Sequence, residues 1–131
     1  METNLLYPKS ITKLEKCLIA FLKAGTFGLR TIDVLAKSEA HANDMDRANR
    51  FWSSCLRDDV SKLRNKYNIF LSDKVDPFVS LLGYKANFKR YWITNRHEAE
   101  KVITLLDQLR KKRGESPLSA FEIESFLSKF H

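Results

Sequence analysis

Side chains that can hydrogen-bond to phosphate groups and to the edges of nucleic-acid bases recur between residues 46 and 66. Placed at 100° intervals, as along an α-helix, they fall on one face, which carries Arg47, Arg50, Ser54, Arg57, Asp58, Ser61 and Asn65, with Lys62 on its flank. Arginine, serine and asparagine bond both DNA phosphates and base edges, so this face is a candidate for contact with DNA. A merely solvated helix face is the alternative, and Asp58 and Asp59 favour it because their carboxylates repel phosphate.

A second group of basic side chains surrounds the segment that follows, where the pattern predicts a β-hairpin. The group comprises Lys74, Lys85, Lys89 and Arg90. Contacts from such residues to phosphates would supply affinity that depends on salt and not on sequence. The alternative is a loop that its lysines keep soluble. A third basic stretch, residues 110–113, ends a predicted helix, where the helix dipole already favours positive charge, so a phosphate or acidic partner there is the weaker interpretation.

The residues do not form a pattern that indicates catalysis, a metal or a cofactor. His41, His97 and His131 are scattered, and none has a second ligand at metal-binding spacing. With four glycines in the chain, we find neither a glycine-rich phosphate loop nor a nucleophile elbow. Trp52 and Tyr91 could stack on single-stranded nucleic acid, but their positions fit core faces better. We therefore expect a binding protein without enzymatic activity, cofactor or metal.

Length and charge are consistent with a single globular unit that has a polyanionic partner. The chain has 131 residues, of which 44% are hydrophobic, and a formal net charge of +7. Residues 84–113 hold nine Lys and Arg against three Asp and Glu. Two cysteines, Cys17 and Cys55, lack metal-ligand spacing, and we expect both to be reduced, mostly buried thiols of a cytoplasmic protein. No apolar run approaches the length of a membrane span, and the start of the chain lacks the order of a secretory signal.

Periodicity predicts the elements that must position these residues. A first helix should span 12–24, with a capping box formed by Thr12 and Glu15 and a stop at Gly25. A short strand at 27–30 and a brief helix capped by Thr31 should follow. Residues 38–51 are either a loop or a polar extension of the next helix. That third helix should run from 46 to 66, with an apolar stripe of Trp52, Leu56, Val60, Leu63 and Tyr67.

The second half of the chain predicts two strands and two helices. Strands at 68–74 and 88–94 should pair antiparallel around a long, irregular connection that contains Pro77 and Gly83. A fourth helix should begin with a capping box of Asn95 and Glu98 and end at Gly114. A final, unusually apolar helix should open at Ser116, with Pro117 as its first residue.

The order of these elements resembles the winged helix-turn-helix domain of small phage and mobile-element proteins. The matching residues are Leu29, Thr31, Val34 and Leu35, then Val60, Leu63 and Arg64, then Ile69, and finally Arg90, Tyr91, Trp92 and Ile93. The resemblance covers residues 12–94 and departs at 38–51, where the turn before the third helix is long. It implies a mainly α fold with a small β-hairpin, a winged helix-turn-helix followed by two C-terminal helices. It also implies a transcriptional or replication regulator whose third helix enters the major groove of double-stranded DNA.

The resemblance divides the chain into a winged helix-turn-helix domain, 1–94, and a C-terminal helical extension, 95–131. One small module buries only about 600–1,000 Å² on DNA, so we expect a second copy to supply a second reading unit. The apolar C-terminal helix either folds back on the domain or pairs with a second copy. The predicted homodimer contact uses Val102, Leu106, Leu109, Phe121, Phe126 and Leu127. Two alternatives remain: a winged-helix interaction module that binds or inhibits a host protein without DNA, and an RNA-binding adaptor.

Overall fold

A computed structural model describes residues 11–79, 81–83 and 85–131. Its elements, in chain order, are α1 (Lys13–Ala24), β1 (Leu29–Arg30), α2 (Thr31–Val34), α3 (Glu39–Arg47), α4 (Leu56–Asn65), β2 (Leu71–Val79), β3 (Lys85–Ile93), α5 (Arg96–Lys112) and α6 (Ala120–Leu127). The three strands form one antiparallel sheet in the order β1-β3-β2. The prediction of a mainly α chain with a small hairpin is therefore confirmed.

Helix α1 begins and ends as predicted, but its capping box is only half formed. The Thr12 side chain accepts a hydrogen bond from the Glu15 amide, and Gly25, at φ 61°, caps the other end. The Glu15 side chain does not return to the cap. It is 1% exposed, and both of its oxygens accept from Nε of Arg113, at 3.1 and 2.9 Å. The Glu15 side chain therefore binds Arg113, which is distant in sequence, and not the nearby cap residue.

The predicted helix over 46–66 is wrong, because two helices occupy this part of the chain. Ser38 caps α3, which ends at Arg47, and Asn49 then takes a left-handed φ of 56°. Helix α4 starts nine residues after Arg47. The predicted apolar stripe survives within α4, where Leu56, Val60 and Leu63 are buried.

The hairpin is longer than predicted, and its strands run through the segment expected to be irregular. The register pairs Leu71 with Ile93 at the base and Val79 with Lys85 at the far end. Pro77 is tolerated because β2 is an edge strand, where a missing N–H need not interrupt the pairing. Thr31 does not cap α2 as predicted. Its hydroxyl instead donates to the Lys89 carbonyl of β3, at 2.6 Å.

The C-terminal helices differ from prediction in their first residues. The Asn95 side chain caps α5 as predicted, but the Glu98 carboxylate accepts from the Phe70 amide at 2.6 Å instead of completing a capping box. Helix α6 begins at Ala120, not at Pro117. Ser119 and Glu122 form the reciprocal capping box there.

A single hydrophobic core joins both predicted parts of the chain. It combines Leu18, Phe21 and Leu22 of α1, Leu56, Val60 and Leu63 of α4, Leu71, Tyr91 and Ile93 of the sheet, Val102 and Leu106 of α5, and Leu127 and Phe130 of the C-terminal segment. The core therefore crosses the predicted boundary between residues 94 and 95. Cys17 lies within this core, and burial raises the pKa of its thiol far above the ordinary value. The expectation that Cys55 is buried is wrong, because this residue comes just before α4 instead of lying within a helix, and it is exposed. Across the described ranges, no helix has both the length and the apolar character that a membrane crossing requires.

Candidate nucleic-acid interface

The start of α4 is held by a buried serine in the segment that precedes it. Ser53 is 1% exposed, its amide donates to the Val34 carbonyl at 2.9 Å, and it forms a parallel bridge with Leu35. Its hydroxyl donates to Asp59 at 2.5 Å and accepts from the Cys55 amide at 3.1 Å. These hydrogen bonds fix the segment between α3 and α4 against the end of α2. The segment therefore sets the position of α4 although it is long.

The exposed side of α4, which we call the α4 face, carries most of the predicted helix residues. Arg57, Asp58, Ser61, Lys62, Asn65 and Lys66 are all exposed. Asp59, one of the two carboxylates that argued against DNA, is half-buried and turned toward Ser53. The α4 face therefore keeps one carboxylate, that of Asp58, among three basic side chains. Lys66 was missed because the predicted helix places it beside the apolar stripe.

Arg64 joins α4 to the hairpin. Its guanidinium donates to the Leu71 carbonyl from Nε at 3.2 Å and from Nη2 at 2.5 Å, and it pairs with Asp73 at 2.9 Å. It also lies over the Tyr91 ring, 5.9 Å from the centroid. Asp73 in turn pairs with Lys89 at 3.3 Å, and the Arg64 hydrogen bond is the main cause that lowers the pKa of Asp73. The angle between α4 and the hairpin thus depends on Arg64, which the resemblance had included only as a matching residue.

The register of the hairpin sorts its basic residues onto two faces. Directly opposed residues share a face, so Lys89 (opposite Val75) and Lys85 (opposite Val79) lie on the same face as Tyr91 and Asp73. We call this the α4-side face of the hairpin, because Arg64 reaches it from α4. Lys74 and Arg90, which oppose each other, lie on the other face.

The α4 face and the α4-side face of the hairpin meet around Tyr91. Burial raises the pKa of Tyr91 above its ordinary value, and Asp73 adds to this effect. The positive charges of Lys89 on the hairpin, and of Arg64 and Arg57 on α4, act in the opposite direction. Arg64 of α4 lies over the Tyr91 ring, and Lys89 pairs with Asp73, which is opposite Tyr91 on the hairpin, so basic side chains of both elements meet here. We call this the continuous basic surface around Tyr91.

Arg90 has a structural role on the opposite face of the hairpin. It donates to the Phe27 carbonyl, and its guanidinium lies 5.1 Å from the centroid of the Phe27 ring and 4.7 Å from that of Trp92. One donor and the plane of its guanidinium therefore have partners within the chain. Lys74, directly opposite, stays exposed.

The other three predicted helix residues are not on α4. Arg47 lies near the end of α3, where it pairs with Asp44. Arg50 and Ser54 are exposed in the segment between the helices. Trp52, in the same segment, is half-buried, and its indole N–H donates to Asp46 at 2.8 Å. The structure brings Arg57, Ser61, Lys62 and Asn65 together and leaves Arg47, Arg50 and Ser54 outside that group.

The basic end of α5 also has local partners. Arg113 is turned inward to Glu15, and Arg110 donates to the Ser116 carbonyl at 2.7 Å. Lys111 and Lys112 remain exposed.

Most of the residues predicted to form a dimer contact are instead packed within the single chain. Val102, Leu106 and Leu127 are buried in the core of the single chain, and Leu109 and Phe126 are partly buried against it. Phe121 is 81% exposed. A second copy would therefore meet Phe121 rather than the whole predicted stripe.

Neither metal ligands nor similar proteins identify this surface further. The part of the chain that the structure describes contains no group of three or more His, Cys, Asp and Glu placed to hold a metal ion. No family model, curated protein or solved structure matches the chain.

Proposed function

We propose that the chain is a double-stranded DNA-binding protein of the winged helix-turn-helix kind, with α4 in the major groove and the hairpin on phosphates. The observation that carries this proposal is the continuous basic surface around Tyr91. Arg64 holds the α4 face and the α4-side face of the hairpin in a fixed relation. Rigid placement of base-reading and phosphate-holding groups is what recognition of a duplex requires.

The charges of this surface suit a polyanion. The α4 face and the α4-side face of the hairpin together expose five basic side chains, those of Arg57, Lys62, Lys66, Lys85 and Lys89. Asp58 is the one exposed carboxylate on the α4 face, and the carboxylate of Asp73 on the hairpin is paired with Arg64 and Lys89. Five phosphate contacts would give a slope of about −4.5 in log affinity against log salt, or a roughly 500-fold loss between 50 and 200 mM salt.

The dimensions of α4 suit the major groove. Ten residues make a helix of about 15 Å, and the major groove of B-DNA, about 12 Å wide, admits one helix. Arg57 and Asn65 are the residues whose side chains form bidentate pairs with guanine and adenine, respectively. Lys85 and Lys89 would hold phosphates.

The biological role that follows is regulation of transcription or replication in a phage or mobile element, in the cytoplasm. This part of the proposal rests on the resemblance in the residues of α2, α4 and β3. We also propose that two copies act together on DNA, since a single module of this size buries too little surface for high specificity.

Fluorescence anisotropy with duplex DNA at 50 and 200 mM salt tests the proposal. We expect Arg57→Ala to cost about 1–3 kcal/mol and to relax the sequence preference. Lys89→Ala should weaken binding to all duplexes alike and make the salt slope shallower by about one. Lys112→Ala, an exposed lysine at the end of α5, is the matched control and should bind as the wild type does. If neither Arg57→Ala nor Lys89→Ala differs from this control, the proposed surface is wrong.

A protein-interaction module is the second candidate, and Asp58 favours it. Its carboxylate is exposed on the α4 face, where it would approach phosphates. If the wild type fails to bind duplex DNA even at 50 mM salt, this candidate replaces the first. In that event Asp58→Asn should alter capture of a host protein, whereas under the DNA proposal it should strengthen DNA binding.

A further inference from the structure

The tip of the hairpin exposes apolar side chains that the DNA proposal does not yet use. Leu81 and Leu82 are 106% and 84% exposed, and Val75 and Val79, along β2, are 47% and 58% exposed. Leaving a leucine in water forgoes the stabilisation that burial would give, about 1.5–3 kcal/mol for a fully buried side chain. Two adjacent leucines at the end of a projecting hairpin therefore indicate that the tip is covered when the protein is bound.

The hairpin carries these leucines well beyond the core. Tyr91, opposite Asp73, is the last core residue along the hairpin, and the paired strands continue to Val79 opposite Lys85. Six further residues at about 3.4 Å each extend about 20 Å. In B-DNA, the groove adjacent to an occupied major groove lies about half a turn, or about 17 Å, along the axis. The hairpin is therefore long enough for its tip to reach the neighbouring minor groove from a helix in the major groove.

The charge around the tip identifies the chemistry of the partner. Residues 77–97 contain no Asp or Glu, and Lys85 and Lys89 stand next to the apolar residues on the α4-side face. An apolar protein surface would not require this concentration of positive charge. Duplex DNA presents what the tip would need, with phosphates on the outside and an apolar base stack between them. Asn87, exposed beside Lys85, is of a type that reads minor-groove edges.

We infer that Leu81 and Leu82 form a wedge that enters the minor groove and partly unstacks one base step, while Lys85 and Lys89 hold the flanking phosphates. The inference rests on the proposed function and adds deformation of the DNA to it. Apolar wedges of this kind kink a duplex by about 20–90°. Pyrimidine–purine steps unstack most easily, so the protein should prefer a TA or CA step beneath the tip.

The test compares the wild type with the double variant Leu81→Ala, Leu82→Ala on a duplex selected for tight binding. 2-Aminopurine placed in turn at each TA or CA step reports unstacking, and energy transfer between dyes at the two ends reports bending. Phe70→Ala, another exposed apolar residue but just before β2, is the control. Because both leucines are at least 84% exposed, the double variant should fold as the wild type does.

We expect the wild type and Phe70→Ala to raise 2-aminopurine fluorescence several-fold at one step and to bring the DNA ends closer. The double variant should lose both signals and about tenfold in affinity, with an unchanged salt slope. Binding by the wild type without unstacking or bending overturns the wedge and leaves the proposed function standing. A double variant that still unstacks the DNA also overturns the wedge. The same holds if the only change in the double variant is that a dimer becomes a monomer, as measured by light scattering. Absence of DNA binding by the wild type overturns both proposals.

Discussion

Replacing Arg64 with Met tests whether this side chain fixes α4 to the hairpin. Methionine keeps an apolar stem of similar length and removes the guanidinium. Leu71 is 1% exposed, so its carbonyl would lose two hydrogen bonds with little access to water, which costs about 1–3 kcal/mol. The ion pair with Asp73 adds at most about 1 kcal/mol, because the side chains of Arg64 and Asp73 are 36% and 29% exposed. We therefore expect a total loss of about 2–3 kcal/mol.

Urea unfolding at pH 7 measures this loss, provided that the dependence on urea concentration is unchanged. Arg57→Met is the matched control, since it makes the same change on the same helix at an exposed residue without an ion pair among the described residues. It should shift the unfolding free energy by less than about 0.5 kcal/mol. Asp73→Asn should cost about 1 kcal/mol or less. If Arg64→Met resembles Arg57→Met, or if Asp73→Asn costs as much as Arg64→Met, the Leu71 carbonyl does not need this donor and the reasoning fails.

Two further substitutions test how the sheet and α5 are held. Gly28→Ala should cost about 3 kcal/mol or more of unfolding free energy in urea, because a Cβ there would lie 2.0 Å from the Tyr91 carbonyl oxygen. Gly83→Ala should cost only about 1–2 kcal/mol, because its positive φ is the source of strain there. Equal costs would contradict the close approach of β1 to β3. Burial alone would raise the pKa of Glu98, but the hydrogen bonds from the Phe70 amide and Lys101 outweigh burial and lower that pKa. The ionised Glu98 therefore stabilises the folded chain above about pH 4, and this stabilisation is lost as the pH falls through the lowered pKa. Glu98→Gln should therefore be less stable than the wild type at pH 7 and approach it near pH 3, and parallel unfolding curves at the two pH values would refute this cause.

Local signals predicted the elements well wherever the partners were close in sequence. The caps Thr12, Asn95 and Gly25, and the buried stripe of Leu56, Val60 and Leu63, follow from spacing alone. The break between α3 and α4 did not, because Trp52 stays in phase with that stripe and no Gly or Pro lies in the segment. The break depends on Asn49 and on the hydrogen bonds of Ser53 to Val34 and Asp59, which are tertiary contacts.

The candidate interface was predictable in composition but not in arrangement. Arg57, Ser61 and Asn65 were predicted correctly to share one exposed helix face, with Lys62 on its flank. Lys89 and Arg90 were both predicted to contact DNA, and the structure has them on opposite faces of β3, as neighbouring residues of a strand must be. For Arg90 the contact with DNA stays a prediction. The role of Arg64 could not be read from sequence, because its acceptors are set by where β2 passes α4.

The ion pair between Glu15 and Arg113 has a consequence for how this chain can evolve. The two residues are 98 positions apart, and their side chains are only 1% and 13% exposed. Removing one partner of such a pair costs about 3–5 kcal/mol, whereas replacing both by apolar residues can be neutral. Either single substitution would consume a large part of the stability of a small domain. Descendants of this chain should therefore keep both residues or replace both together. This coupled change at positions 15 and 113 should identify related chains even where the residues of the basic surface differ.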